Sequence, residues 1–439
     1  MKKVLVVSYY FPPSGGPGVQ RVLKFVKYLP QFGWQPVVLT VQNGDFPARD
    51  ESLLNEIPAD IRVHRTKIFE PYRVYRFLTR KPPDSAVDVE NIPQVEKKRS
   101  IMERFAGLVR ETFFIPDARI GWFPYAVPEA MQIVRNEGID AVYTSSPPYT
   151  TALIGLELHR RTKLPWIAGF RDPWIGFLSS PERWALPRAV DMYLEKTVYQ
   201  EADLVECAWA GILEDFRRKY PEGNALKAVH LPNGFDSADY PAAAPRNNDR
   251  FTVTYTGSMY GKRNPATFLR SVEELVAEGA VDANKIRLSF VGRFGAEVKE
   301  MINRSTIRPS VERLDYVAHA ESIRRLTESD LLLLIVDESK DSREIVPGKV
   351  FEYLGARKPI LALTDVDGAV ARLIAETSSG RAVNNQDVPS IKAAFVECYR
   401  NYLYHTSSIQ PNEEEVRKYE RREVTRRLAE LLDYLQTRR

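Results

Sequence analysis

Two carboxylates, Glu344 and Glu352, lie eight positions apart on either side of the segment Pro347-Gly348-Lys349. Proline suits the first turn of a helix because its missing N–H group would have no partner there. The start of a helix offers free N–H groups and a partial positive charge, so it binds phosphate well, and Lys349 adds a full charge. A helix from Gly348 would place Glu352 about one turn along, within reach of a sugar hydroxyl. With Val350 in the same turn, the spacing predicts a site for a nucleotide diphosphate that carries hydroxyl groups at both ends.

The basic pair Lys262 and Arg263 marks a second candidate phosphate site. It follows the apolar run 251–256 and the turn at Gly257 and Ser258, and it precedes a helical pattern. A solvated basic pair would be unfavourable at the positive end of a helix, which favours a role in binding phosphate. The sequence does not distinguish which of the two side chains makes the contact.

Further candidates follow other apolar runs, at the strand ends where open αβ sheets bind their ligands. Each of these positions also fits a structural role, such as a ligand-free turn or a salt-bridged strand end. In the same way, Glu344 and Glu352 also fit an ordinary half-buried helix. The candidates are Gly15 and Gly16 in the first glycine-rich loop, Ser145, Arg171 and Asp172 on a sugar or acceptor side, and Arg293, Tyr316 and Val317 on a donor side.

Short apolar runs alternate with amphipathic ones along the whole chain, which predicts two α/β domains with parallel sheets covered on both faces. We expect an N-terminal domain at 1–236, a linker at 237–250, a second domain at 251–410 and a C-terminal helical segment at 411–439. The predicted strands are residues 4–9, 36–40, 61–64, 141–144, 166–170, 204–207, 251–256, 286–291, 311–316, 331–336, 360–363 and 381–383.

Composition restricts the class of protein. The chain has 439 residues, of which 44% are apolar and 27% charged, as in soluble globular proteins. A net charge of +4 gives no global signature of polyanion binding. Two cysteines form no disulfide framework, and five scattered histidines show no metal-ligand spacing. We therefore expect a cytoplasmic protein without a metal, and no apolar run approaches the ~20 residues that span a bilayer.

Residues 65–116 form a basic segment that stands apart from the rest. Its part 65–110 has 11 Lys and Arg against 6 Asp and Glu, a net charge of +5, and it ends in an amphipathic run at 101–110. Such a segment fits peripheral contact with an anionic membrane face. A solvated loop followed by a core helix is the alternative, and no nucleic-acid-binding motif accompanies the charge.

The segments 255–264 and 344–363 resemble the retaining, nucleotide-sugar-dependent glycosyltransferases of family 4. That resemblance implies the GT-B fold, in which two Rossmann-like domains face each other across a cleft and a C-terminal helix crosses back to the first domain. It implies a metal-independent, hexosyltransferase-type enzyme of surface polysaccharide, lipopolysaccharide or glycolipid synthesis. The donor would be a UDP- or GDP-linked sugar, the acceptor a glycan or a lipid-linked molecule, and no further cofactor is expected.

The resemblance also implies a role for each candidate. Glu344, Lys262 and Arg263 would be catalytic, and Glu352 would hold the ribose. The other donor-binding residues would be Gly15, Gly16, Gly257, Ser258, Arg293, Tyr316, Val317, Gly348, Lys349 and Val350. One departure is that Glu344 is followed by Ile345-Val346-Pro347 rather than by glycines.

Two other functions stay open at this point. A sugar-nucleotide epimerase of the same fold would need acid and base groups at the sugar, including a histidine, and no histidine lies in these motifs. A non-catalytic membrane-surface protein that retains the fold is the other possibility. A dinucleotide oxidoreductase is disfavoured because the G-x-G-x-x-G fingerprint is absent.

Overall fold

The computed structural model describes residues 1–46, 48–69, 112, 114–176, 183–221, 227–241, 249–259, 261, 263–337, 343–406 and 409–438. Two compact units make up the chain. Unit 1 contains residues 1–232 together with 424–439, and unit 2 contains residues 233–423.

Unit 1 is built on a sheet of seven strands in the order β3-β2-β1-β4-β5-β6-β7, paired in parallel throughout. Most of these strands are continuous apolar runs because helices cover both faces of a parallel sheet. The strands are β1 (Lys2–Ser8), β2 (Trp34–Val41), β3 (Arg62–Thr66), β4 (Ala141–Ser146), β5 (Trp166–Phe170), β6 (Leu204–Cys207) and β7 (Ala228–His230).

The helices of unit 1 pack on both faces of this sheet. The last helix of the chain belongs to this unit, because Val424, Leu428 and Leu432 share one apolar cluster with Val4 and Phe25. This agrees with the returning helix that the resemblance implies. The helices are α1 (Pro17–Tyr28), α2 (Phe123–Glu137), α3 (Thr150–Thr162), α4 (Ala185–Glu201), α5 (Ala210–Lys219) and, at the end of the chain, Arg421–Thr437.

Unit 2 is built on six parallel strands in the order β10-β9-β8-β11-β12-β13. They are β8 (Phe251–Thr256), β9 (Ile286–Val291), β10 (Val311–Leu314), β11 (Leu331–Ile335), β12 (Ile360–Leu363) and β13 (Gly380–Val383). The helices are α6 (Ala266–Ala277), α7 (Ala296–Arg304), α8 (His319–Glu328), α9 (Gly348–Ala356), α10 (Ala369–Glu376), α11 (Val388–Leu403) and α12 (Glu413–Arg417), so the helix Arg421–Thr437 is α13.

Strand order locates the ligand side of each sheet. In unit 1 the order reverses between β1 and β4, and in unit 2 it reverses between β8 and β11. Open α/β sheets bind ligands beyond the carboxyl ends of the strands at such a switch point. In unit 2 the turn at Gly257 follows β8 at this position, and residues 336–337 follow β11 there.

The α/β prediction is confirmed, and every predicted strand is present with bounds that differ by a few residues. One strand, β7, was not predicted because three residues are too few to show an alternating or apolar pattern. The predicted linker 237–250 begins with a short 3-10 helix, Ser237–Asp239, in which the Asp236 carboxylate accepts from the Ala238 N–H. The first residues of the predicted linker therefore belong to unit 2, and its residues 242–248 lie outside the described residues.

Candidate active site in unit 2

Helix α9 begins at Gly348, as the sequence predicts. Pro347 sits one position earlier than expected: it is the extended residue before the helix, with φ −61° and ψ 140°, and not part of the first turn. No side chain caps this end, and no acidic residue lies in the first turn. The helix start therefore keeps its positive character, and it follows β11 at the switch point of the sheet. Val350 is fully buried in the core, and its N–H donates to the Pro347 carbonyl at 3.1 Å.

Glycines make room for the side chain of Lys349. Gly257 has φ 117°, and a Cβ placed there would lie 2.1 Å from both Cε and Nζ of Lys349. Gly292, with φ 142°, in turn packs on the backbone of Gly257, where a Cβ would lie 2.1 Å from the carbonyl oxygen. Gly257 was predicted to be a donor-binding residue. In the structure it is the lysine that passes over this glycine, which brings the charge to the end of β8.

The ammonium of Lys349 is partnered by a neutral phenol. Its Nζ donates to Tyr255 Oη at 2.8 Å and lies 4.5 Å from the centroid of that ring, while the Tyr255 hydroxyl donates to the Ser258 carbonyl at 3.0 Å. Burial and, to a smaller extent, the positive charge of Arg263 together lower the pKa of Lys349 to about 7, against the opposing effect of Glu352. The negative charge of an anion at this position would raise the pKa of Lys349 again and keep the lysine in its charged form. Tyr255 was not among the predicted site residues.

Glu352 lies beside a histidine that sequence analysis missed. Its Oε1 is 3.9 Å from His319 Nδ1, and His319 Nε2 is 3.4 Å from the Asp239 carboxylate. Burial raises the pKa of Glu352, against the charges of His319 and Lys349, although 29% of its side chain stays exposed. The Tyr240 hydroxyl donates to the Glu352 carbonyl at 2.7 Å and so ties α9 to the segment that follows Asp239.

Glu344 is held by an ion pair. Arg372 Nη2 on α10 donates to its carboxylate at 2.5 Å, and the Ala369 N–H donates to the Arg343 carbonyl at 2.8 Å. The loop before α9 is therefore fixed to the start of α10. With 34% of its side chain exposed, Glu344 can still meet a ligand, but it is not a lone carboxylate. Neither Arg372 nor α10 figured in the sequence prediction.

Of the predicted basic pair Lys262 and Arg263, the structure describes only Arg263. Lys262 lies outside the described residues, whereas Arg263 is half-buried and close enough to Lys349 to lower its pKa. Within the described residues, the buried Nε of Arg263 has no hydrogen-bond partner. Arg293 lies over the ring of Tyr316, with 5.6 Å between guanidinium carbon and ring centroid. Tyr316 is exposed and Val317 half-buried, at the entry to α8.

In unit 1 three loops meet around Arg171, one of the predicted residues. Its Nη2 donates to the Pro147 carbonyl after β4, its guanidinium lies 5.9 Å from the Tyr10 ring after β1, and a Cβ on Gly18 would touch it. Burial lowers the pKa of Arg171. The loops after β1, β4 and β5 therefore converge on this one cation.

The remaining unit 1 candidates lie on the same loops. Gly16, with φ 105°, precedes α1 without a side-chain cap, and the Gly15 N–H donates to the Ala48 carbonyl at 3.0 Å. Ser145 is buried, and its hydroxyl makes no hydrogen bond within the described part of the chain. Asp172 contributes its carbonyl, which accepts from the Tyr149 hydroxyl at 3.4 Å.

A buried ion pair below these loops was also missed. Arg21 on α1 donates to Glu206 on β6 at 2.6 Å, and Tyr143 donates to the other carboxylate oxygen at 3.0 Å. Burial raises the pKa of Glu206, and Arg21 opposes that shift. A Cβ on Gly169 would lie 2.7 Å from the Tyr143 hydroxyl, which explains a glycine inside a central strand. The arginine at an otherwise apolar position of α1 was the available signal for this network.

Comparison with known proteins agrees with this architecture. Residues 15–234 match the model of the glycosyl transferase 4-like domain, and residues 250–401 match that of glycosyl transferases group 1. A search of curated proteins finds no match.

Several solved structures share the fold at low identity. A glycosyltransferase from Rickettsia africae ESF-5 has 14% identity and a TM-score of 0.61, over 99% of this chain and 98% of that one. Anabaena Alr3699/HepE in complex with UDP and glucose has 15% identity and a TM-score of 0.59, over 99% of this chain and 100% of that one. A mutant of TarM from S. aureus, in complex with Fondaparinux, alpha-GlcNAc-glycerol and UDP, has 9% identity and a TM-score of 0.61, over 99% and 100%. With family models matched along both units and a fold shared with these enzymes, the chain belongs to the group 1 glycosyltransferases of GT-B fold.

Proposed function

We propose that this glycosyltransferase moves a sugar from a nucleoside diphosphate to an acceptor hydroxyl and retains the anomeric configuration. The observation that carries the proposal is the position of Lys349. This half-buried lysine lies in the first turn of α9, hydrogen-bonded to the neutral Tyr255 and close to a second cation, Arg263. Among the described residues, Lys349 has a second cation and an uncapped helix start beside it but no carboxylate in an ion pair with it, although Glu352 lies nearby. A diphosphate would supply the missing negative charge.

The chemistry would be electrostatic. As the bond between the anomeric carbon and the diphosphate breaks, negative charge grows on the leaving oxygen. Lys349, Arg263, Lys262 and the N–H groups at the start of α9 would stabilise that charge. The acceptor oxygen would bond to the anomeric carbon from the same face, and its proton would pass to the departing phosphate. If these cations and N–H groups balance the charge, the reaction would need no metal.

The two glutamates would hold the two ends of the donor. Glu352, about one turn into α9 and partly exposed, would bind the ribose hydroxyls, oriented by His319. Glu344 would contact the donor sugar while Arg372 holds its carboxylate. Arg293, Tyr316 and Val317 would line the base, and Gly15, Gly16, Ser145, Arg171 and Asp172 would form the acceptor side.

A UDP-linked hexose is the donor that we expect. Its support is the pair of similar structures that hold UDP, one of them together with glucose. For the acceptor, we propose a glycan or lipid-linked glycan of surface polysaccharide, lipopolysaccharide or glycolipid synthesis, met at the cytoplasmic face of a membrane. Among the described helices, none is both long and apolar enough to cross a bilayer. Most of the basic segment 65–116 lies outside the described residues, so its membrane contact stays a prediction.

A thermal-shift panel of UDP-, GDP- and ADP-linked sugars tests the donor site. A ligand that binds only the folded protein raises its melting temperature by mass action. We expect UDP-linked hexoses to stabilise the wild type and to have much less effect on Lys349→Met. Tyr404→Glu, an exposed tyrosine at the end of α11, is the matched control and should respond as the wild type does. If no nucleotide-sugar shifts the melting temperature, the proposal is overturned.

An epimerase deserves a second test because of His319. No histidine lies within the sequence motifs, but His319 Nδ1 is 3.9 Å from Glu352 Oε1, where acid and base groups would be needed. Proton NMR of a UDP-sugar incubated with the protein, without any acceptor, separates the two reactions. An epimerase would accumulate a second sugar nucleotide, whereas a transferase would leave the sugar configuration unchanged.

A further inference from the structure

Helix α4 presents large apolar side chains to solvent. The exposed fractions are 62% for Leu186, 38% for Val190, 50% for Met192 and 67% for Tyr193, and Trp184 just before the helix is 47% exposed. Leu186, Val190 and Tyr193 are spaced i, i+4 and i+7, so they lie along one side of the helix. Soluble proteins rarely leave such contiguous apolar surface uncovered, and a patch of this kind marks an interaction site.

The inward side of α4 contains its acidic residues. Asp191 forms an ion pair with Arg183 at 2.6 Å, and Glu195 accepts from Lys219 at 3.2 Å and from the Tyr220 hydroxyl at 2.9 Å. Both carboxylates are buried and neutralised within unit 1.

The exposed side carries only positive charge over the same length. Arg188 and Lys196 are exposed, and within the described stretch 183–200 no exposed residue is acidic. Glu201, the first acid beyond it, is paired with Arg160 at 2.6 Å. We call this surface the α4 face; it comprises Trp184, Leu186, Arg188, Val190, Met192, Tyr193 and Lys196.

We propose that the α4 face docks on an anionic lipid bilayer. Its apolar residues would enter the boundary between head groups and acyl chains, and its two cations would meet the lipid phosphates. Trp and Tyr suit that boundary because each combines an apolar ring with a polar tip. A patch for a protein partner usually loses charge at its centre, whereas this one keeps two cations and excludes acids.

The position of the face supports a lipid partner. Trp184 Nε1 donates to Thr112 Oγ1 at 3.1 Å, and Thr112 belongs to the basic segment 65–116. In the sequence, Thr112 lies two positions after the stretch 65–110, whose net charge of +5 has the same sign as the charge of the α4 face. This inference goes beyond the sugar-transfer function and does not depend on the donor site.

Vesicle co-sedimentation of the full chain tests the proposal. The probes are vesicles of phosphatidylcholine alone and of phosphatidylcholine with about one third phosphatidylglycerol. We expect the wild type to bind the anionic vesicles at least about tenfold more tightly, in a manner that salt weakens. Leu186→Glu combined with Tyr193→Glu should lose about tenfold or more of that affinity. Arg188→Glu combined with Lys196→Glu should remove most of the preference for anionic lipid.

The substituted positions are exposed, so the variants should fold, and the melting-temperature shift with UDP-linked hexoses reports this. Tyr404→Glu is the control for an exposed aromatic residue and should bind vesicles as the wild type does. Wild-type affinity in both double variants, or no binding of the wild type to anionic vesicles, overturns the proposal. A lipid-independent dimer that dissociates in the Leu186→Glu, Tyr193→Glu variant would also overturn it in favour of self-association. Loss of vesicle binding with an intact nucleotide shift separates this surface from the donor site.

Discussion

Unit 1 and unit 2 each hold a cation below the carboxyl ends of their strands, but the two cations are neutralised differently. Arg21 in unit 1 is fully buried and faces the buried carboxylate of Glu206 at 2.6 Å. Lys349 in unit 2 is half-buried, and its hydrogen-bond partner is the neutral phenol of Tyr255. The opposite charges of Arg21 and Glu206 balance each other, and we assign this pair a structural role in unit 1. On the proposed function, the charge of Lys349 is neutralised when a diphosphate binds, so the contrast would separate a structural charge from a functional one.

The largest effect that we expect concerns the scaffold pair. Arg21→Met leaves Glu206 buried without its cation, and breaking such a pair costs about 3–5 kcal/mol of unfolding free energy. Chemical denaturation of the full chain measures that loss. Combining Arg21→Met with Glu206→Gln should recover part of it, because the uncompensated charge is removed. A fully stable Arg21→Met protein that no longer binds UDP would contradict this assignment, because it would give Arg21 a role in binding the ligand and not in stability.

The next effect concerns the cation of unit 2. Lys349→Met should lower turnover by about a hundredfold to a thousandfold, the loss typical of removing one group that stabilises transition-state charge. The stability of the protein should stay the same or rise, because the variant no longer buries an amine. Turnover and denaturation midpoints measured on the same preparation give both quantities. A large loss of stability with normal turnover of the folded fraction contradicts the assignment.

A smaller effect is expected at His319. His319→Gln removes the imidazole between the carboxylates of Glu352 and Asp239, so their mutual repulsion is less well balanced when a donor binds. Donor affinity should fall by about threefold to tenfold, with kcat changed less than KM. The double variant with Asp239→Asn should regain part of the affinity. Unchanged KM in His319→Gln would show that the histidine does not orient Glu352.

The smallest effect is expected at the loop before α9. Arg372→Ala breaks an ion pair whose arginine is 52% exposed, and exposed pairs contribute about 0–1 kcal/mol. KM for the donor should change by less than about fivefold, whereas Glu344→Gln should reduce turnover more strongly. Equal effects of the two substitutions would mean that Glu344 acts only through its ion pair.

The fold was predictable because its signals are local. The buried strands are continuous apolar runs such as Leu331–Ile335, and helix α9 starts where Pro347 and Gly348 indicate. The candidate site was only partly predictable because its contacts join distant segments. Lys349 meets Tyr255 across 94 positions, and His319 meets Asp239 across 80, so neither spacing forms a motif. Arg21 likewise contacts Glu206 across 185 positions, so its ion pair could not be found from the local sequence.

Calorimetric titration of UDP into the full chain at pH ~7.5, in two buffers of different ionisation enthalpy, tests the central claim most directly. The pKa of Lys349 is about 7 in the free protein, so part of the lysine is neutral there, and a bound diphosphate should raise that pKa. The account predicts that the wild type takes up protons as UDP binds, and that Lys349→Met binds at least about tenfold more weakly without this uptake. Equal affinities of the two proteins for UDP, or a wild type that binds without taking up protons, would contradict it.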